Sequence, residues 1–156
     1  MDVQMINPFI EATMKVLETM ASTKAKAQKA YVKKDKKATG DVSGIIGITG
    51  EAMGTISVSF SASSILAIVS KMFGEEMSEI NDDIGDAVGE LTNMISGQAR
   101  QQLEAEGRLL KAAIPTVIMG KNHSISHITD GPIIAIPFET DNGSFAIEIC
   151  LGGKSG

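Results

Sequence analysis

The sequence predicts an α+β fold in the order α-βββ-αα-βββ, with helices packed on one face of a sheet. Three observations carry this. Segments with helical spacing of apolar residues alternate with β-branched runs bounded by glycine, proline and aspartate. A helix followed by three strands occurs twice, which implies pseudo-repeated halves building one antiparallel or mixed sheet. The 156 residues, 43% hydrophobic and 21% charged, suit a single domain with a sizeable core. That domain is expected over residues 1–151, with 152–156 as a flexible end.

Asn7-Pro8 reads as a helix start, Asn7 the cap and Pro8 the first helical residue. Phe9, Ile10, Val16, Leu17 and Met20 extend that helix to about Ala21. Residues 24–37 hold seven lysines against Asp35 alone. They predict a strand over about 25–34 with an exposed face, lysines on an edge strand being a guard against aggregation. Asp41–Gly50 and Ala52–Phe60 are two strands linked as a hairpin, the second with a polar face at Ser57 and Ser59. The glycines at 40, 44, 47, 50 and 54 mark bulges or a helix packed close on the sheet.

Ser61, Ser63 and Ser64 supply capping hydroxyls for a helix containing Ile65, Ile68, Val69, Met72 and Phe73, closed by Gly74. An acidic connector then leads to a long helix over about Asn81–Glu106, with Asn81 or Asp82 as its cap. Ala112–Met119 is a short strand and His123–Asp130 a loop. Pro132–Glu139 and Ser144–Leu151 are strands joined at Asp141-Asn142-Gly143.

The formal net charge of −5 argues against a nucleic-acid partner. The single cysteine, Cys150, cannot form an intramolecular disulfide, which favours a reducing compartment. No signal peptide is expected from Met-Asp-Val-Gln-Met, and no apolar run approaches the length of a membrane span. The expected location is the cytoplasm.

The long helix is where chemistry concentrates. Ile84, Val88, Leu91, Ile95, Ala99 and Leu103 form an apolar seam. Asp86, Glu90, Asn93 and Gly97 fall within about 60° of one another on the opposite side. Thr92 and Asn93 are poor helix formers, and each glycine at 85, 89 and 97 costs about 1 kcal/mol against alanine inside a helix. Gly97 extends the stripe and leaves room for a close approach.

No P-loop or nucleotide fingerprint is present. His123 and His127 are four apart but sit in a strand- or loop-like context without a ligand-spaced cysteine or carboxylate, so no metal site is expected. No nucleophile is marked beside them. Glu90 and Asn93 remain, one helical turn apart on an exposed rigid surface. A glutamate accepts charge-assisted hydrogen bonds from a partner's lysine, and an amide orients a water. Hydrolysis of an already activated phosphoryl group needs little more than that.

Glu90-x-x-Asn93, with Asp86 four residues before and Pro115 twenty-two residues after Asn93, resembles the signature of the CheC/CheX/FliY chemotaxis phosphatase family, and the element order matches over nearly the whole chain. The resemblance implies removal of the phosphoryl group from the aspartyl phosphate of a CheY-type response regulator. It implies that Asn93 orients the attacking water and that Glu90 pairs with the regulator's active-site lysine. Asp86 lies at the edge of the contact and Pro115 is structural. Mg²⁺ belongs to the regulator, so the chain needs no cofactor of its own. The first helix carries Glu11-Ala-Thr-Met14 in place of a second Glu-x-x-Asn, so the chain is similar to the CheX type, for which a homodimer joined through exposed strand edges is expected. Two other readings stand beside this one: a non-catalytic regulator-binding or scaffold module, and a structural dimer whose stripe is solvated surface.

Overall fold

The computed structural model describes residues 3–35, 40–121, 123–125 and 131–152. Three helices lie on one face of an eight-stranded sheet whose pairings are all antiparallel.

Helix α1 (Val3–Ala21) begins before the expected Asn7 cap and carries Pro8 inside it. Met5 and Ile6 explain this. They are buried with Phe9, Ala12, Val16 and Leu17, so the apolar stripe that drives the helix starts one turn earlier. The lysine-rich strand is two short pieces, β1 (Lys26–Ala27) and β2 (Tyr31–Lys33). Strands β3 (Val42–Gly50) and β4 (Gly54–Phe60) form the expected hairpin, with the turn shifted to residues 51–53. Helix α2 (Ala62–Phe73) is capped as predicted, Ser61 accepting from the Ser64 N–H and Gly74 taking the left-handed conformation at φ 69°. Helix α3 is Asp82–Ala105 with Asn81 as its cap. The expected strand 112–119 is split into β5 (Leu110–Ala112) and β6 (Thr116–Met119). Strands β7 (Ile133–Thr140) and β8 (Gly143–Leu151) close the sheet through the two-residue turn Asp141-Asn142.

The strand order β1-β7-β8-β4-β3-β5, with β2 beside β1 on β7 and β6 beside β5 on β3, reads the same after the two halves are exchanged. A pseudo-twofold therefore passes between β4 and β8. The register repeats too. On β3, residues 113–115 oppose only Ile46 and Gly47; on β7, residues 28–30 oppose only Ile136 and Pro137. Each is a bulge of one extra residue, entered through an equivalent hydrogen bond: Ala113 N–H to Gly47 O at 3.0 Å and Gln28 N–H to Pro137 O at 2.8 Å. These bulges are why both edge strands, read as continuous in the sequence, break in two.

Ile46, Ile48, Ile56, Val58, Ile136, Phe138, Ile147 and Ile149 join the helices in one core. The other face carries Ser57 and Ser59 as predicted, but both are buried. Ser43 and Ser59 share a 2.6 Å hydrogen bond, and His123 Nε2 lies 2.7 Å from the Ser43 hydroxyl, so part of the β6–β7 connection covers this face. Lys33 departs from the expected exposed lysine edge. Its side chain is 4% exposed and its Nζ lies 2.7 Å from Glu148 Oε2, itself 2% exposed. Lys24, Lys26, Lys29 and Lys34 are exposed as expected, while Lys36, Lys37 and His127 lie outside the described residues. No described helix is long and apolar enough to cross a membrane.

Candidate functional site

Helix α3 is fixed at its start, along one side and in its roll. Asn81 Oδ1 accepts from the Ile84 N–H at 3.1 Å, and Asp82 and Asp83 occupy the first turn, where the helix dipole favours carboxylates. All six seam residues, Ile84, Val88, Leu91, Ile95, Ala99 and Leu103, are fully buried. Thr92, grouped with the stripe on propensity, belongs to the buried side at 1% exposure. Its hydroxyl donates to Val88 O at 2.7 Å, which satisfies the oxygen inside the helix. It rests on Gly44 of β3 so closely that a Cβ there would lie 1.9 Å from Thr92 Oγ1. That contact sets the roll of α3.

The flank of α3 meets β6. A Cβ on Gly85 would lie 3.2 Å from Met119 Sδ, and one on Gly89 would lie 3.3 Å from Val117 Cγ2. Four helical residues rise about 6 Å and two strand residues about 6.6 Å, so helix and strand stay in step. Pro115, at the end of the 113–115 bulge and just before β6, lines the same groove as Asn93. The twenty-two-residue offset between Asn93 and Pro115 thus has a geometric meaning: the chain finishes α3, turns, and returns to the same groove.

Asp86, Glu90 and Asn93 project from this frame and are exposed. Among the described residues none of the three has a hydrogen-bond or ion-pair partner. They share a groove of about 630 Å³ with Asp82 on the helix side and Pro115, Val117 and Met119 on the strand side. Gly97, on the same stripe, does not line this groove; it is half-buried one turn further on, nearest to Arg100. Among the described residues no three His, Cys, Asp or Glu side chains converge as a metal site. His123 is engaged with Ser43 and with Gly120 O. On α1, Glu11 accepts from Gln102 Nε2 at 3.1 Å and Met14 is exposed.

The groove offers the carboxylates of Asp82, Asp86 and Glu90 and the carboxamide of Asn93, with Glu90 and Asn93 held side by side by a rigid helix and open to a partner. On the strand side of the groove, sequence reasoning named Pro115 and missed Val117 and Met119. The glycines at 85 and 89, spaced four apart on one helical face, were its available signal.

Comparison with known proteins agrees with this architecture. The family model for chemotaxis phosphatase CheX matches residues 42–139. The CheY-P phosphatase CheX of Thermotoga maritima is 27% identical over 98% of this chain and 100% of its own length. The crystal structure of a chemotaxis protein CheX from Desulfovibrio desulfuricans is 49% identical, with a TM-score of 0.88 over 95% of this chain and 99% of that one. CheX in the CheX–CheY–BeF₃–Mg²⁺ complex from Borrelia burgdorferi is 26% identical, with a TM-score of 0.79 over 94% of this chain and 96% of that one. The fold, the groove on its long helix and the match over residues 42–139 lead to one assignment: this chain belongs to the chemotaxis phosphatase CheX family.

Proposed function

We propose that this chain, a phosphatase by family, hydrolyses the aspartyl phosphate of a CheY-type response regulator, with Asn93 and Glu90 as its working residues. The observation that carries the assignment is the pair itself: two exposed polar side chains without internal partners, one turn apart on a helix fixed by its seam and by Thr92 on Gly44.

The reaction adds water to phosphorus and breaks the bond between phosphorus and the aspartyl oxygen, releasing inorganic phosphate and the regulator's carboxylate. The acyl phosphate is already activated, so the contribution required is position. The Asn93 amide orients the water in line with the departing carboxylate. Glu90 holds the regulator by a charge-assisted hydrogen bond to its active-site lysine. Asp86 lies at the edge of the contact, and Gly97 lets the regulator approach the helix closely. Mg²⁺ is carried by the regulator, where it neutralises developing charge on the phosphoryl oxygens; the Borrelia complex with CheY and Mg²⁺ supports that division of labour. The protein acts in the cytoplasm as a homodimer joined through its exposed strand edges, where Tyr31 and Val32 of β2 stand open to solvent. Sedimentation at micromolar concentration tests the dimer; a monomer at every concentration removes that part of the proposal.

The test of function is the decay of a phosphorylated CheY-type regulator with Mg²⁺ and catalytic amounts of this protein. Multiple turnover by the wild type, lost in Asn93→Ala while binding is retained, is the expected result. Full activity in Asn93→Ala would remove Asn93 from its role. Binding without acceleration by the wild type would make the protein a regulator-binding module.

A further inference from the structure

Arg100 stands ten residues after Glu90, about 20° from Asn93 around the helix, so it continues the same stripe. It is half-buried, and its Nε donates to Ser96 Oγ at 3.2 Å. That is its side chain's one hydrogen bond among the described residues, and it has no carboxylate partner among them. The side chain folds back toward the helix N-terminus, as long helical side chains do. Its Nη2 lies 3.9 Å from where a Gly97 Cβ would be. The guanidinium therefore overlies Gly97, one turn short of Asn93.

This gives the docking face a polarity. Asp82, Asp86 and Glu90 make its N-terminal part acidic; Arg100 is the one basic residue of α3 and stands between Asn93 and the exposed Glu104 one turn further on. A partner matching it presents a cation at Glu90 and an anion beyond Asn93. Gly97 and Asn93 are four residues apart, an axial separation of about 6 Å. At that separation the guanidinium and a water held by Asn93 address different groups. A regulator that holds Mg²⁺ beside its phosphoaspartate builds the site from carboxylates, so anionic oxygens surround the position Asn93 addresses.

We propose that Arg100, reaching across the Gly97 gap, binds a carboxylate on the docked regulator and so sets affinity and register without taking part in the chemistry. The inference rests on the phosphatase reading. Bidentate pairing with a carboxylate suits a guanidinium, and a lysine supplies the charge without the fork.

Steady-state dephosphorylation of a phosphorylated CheY-type regulator with Mg²⁺ tests it, comparing wild type, Arg100→Ala, Arg100→Lys and Lys71→Ala, an exposed charge loss on α2. Arg100→Ala is expected to raise KM about tenfold, the size of one charge-assisted contact, with kcat within about twofold. Arg100→Lys recovers part of the loss, the difference shrinks at high salt, and Lys71→Ala matches wild type. A fall in kcat at saturating regulator would mean that Arg100 touches the phosphoryl group, and would overturn the proposal. Turnover with KM unchanged in Arg100→Ala would overturn it alone. No turnover by wild type would overturn the phosphatase reading, and this inference with it.

Discussion

Replacing Gly44 with alanine drives a methyl group into the point on which α3 rests. The new Cβ would lie 1.9 Å from Thr92 Oγ1, 3.0 Å from its Cβ and 3.3 Å from its Cγ2. Ordinary contact requires a further 1.5 Å or so at the hydroxyl. Turning the hydroxyl away gives up its 2.7 Å bond to Val88 O and strands a buried oxygen, at about 1–3 kcal/mol. Lifting the helix instead opens the seam above β3, and overpacking of this kind costs about 1–3 kcal/mol. Either route lowers the melting temperature by about 4–8 °C, taking 2 kcal/mol as the centre and a chain of this size. Lifting also displaces Glu90 and Asn93 by about 1 Å, enough to lower regulator dephosphorylation by up to about a hundredfold. Thermal unfolding of Gly44→Ala, Thr92→Ala and the double variant separates the terms. Removing Oγ1 relieves the 1.9 Å clash and leaves only the 3.0 Å contact to Cβ, so the double variant is expected to be more stable than the sum of the single losses implies. An unchanged melting temperature in Gly44→Ala, or additive losses in the double variant, would refute the claim that this contact sets the helix.

Three further outcomes follow from particular contacts. Lys33→Met leaves Glu148 buried without its 2.7 Å partner and is expected to cost about 3–5 kcal/mol, whereas Lys33→Met with Glu148→Leu recovers most of it; urea titration of the three variants decides. Asn81→Ala removes the acceptor of the Ile84 N–H and is expected to cost about 1 kcal/mol, a fall of about 2–4 °C by calorimetry. Gly97→Ala meets only Arg100 Nη2 at 3.9 Å, so it is expected to raise the melting temperature by about 2–4 °C while weakening regulator binding; stabilisation with undiminished binding would deny Gly97 a part in docking.

The sequence exposed what depends on period. The seam of α3, the caps Asn81, Ser61 and Gly74, and the placing of Glu90 and Asn93 on the outer face follow from spacings of three and four and from residues with one favoured backbone role. What it hid depends on contacts distant in the chain. Thr92 shares its propensity with surface residues, and only Gly44 opposite shows that it is buried. Pro8 is a good helix start taken locally, but Met5 and Ile6 draw the helix further once a core exists to receive them. Lys33 sits among exposed lysines, and Glu148, which pairs with it, is more than a hundred residues away. The bulges are invisible for a similar reason, because an extra residue exists only relative to the strand it faces. The groove shows both halves of this lesson: its carboxylates follow from helical period, while the wall formed by Val117 and Met119 becomes evident only when β6 is laid along α3.

The repeat poses a question that the same contacts answer. The two halves share strand order, register and bulge, so the frame offers two equivalent places for a groove between helix and edge strand. What distinguishes them is the approach of helix to strand. On α3 that approach is made possible by Gly85 and Gly89, where a side chain would meet Met119 or Val117 at 3.2–3.3 Å. Helix α1 contains no glycine and packs mainly on α3 and α2, and its Glu11 is tied to Gln102. A helix carrying side chains on its strand-facing flank stands further off, and its edge strand cannot serve as the second wall. The missing asparagine at Met14 is therefore one of two differences, and the spacing of the backbone is the other. Installing Asn at position 14 by Met14→Asn is expected to add no second site in an Asn93→Ala background, measured as regulator dephosphorylation. Recovered turnover there would show that the Glu-x-x-Asn pair suffices without a close strand, and that the glycines of α3 serve packing alone.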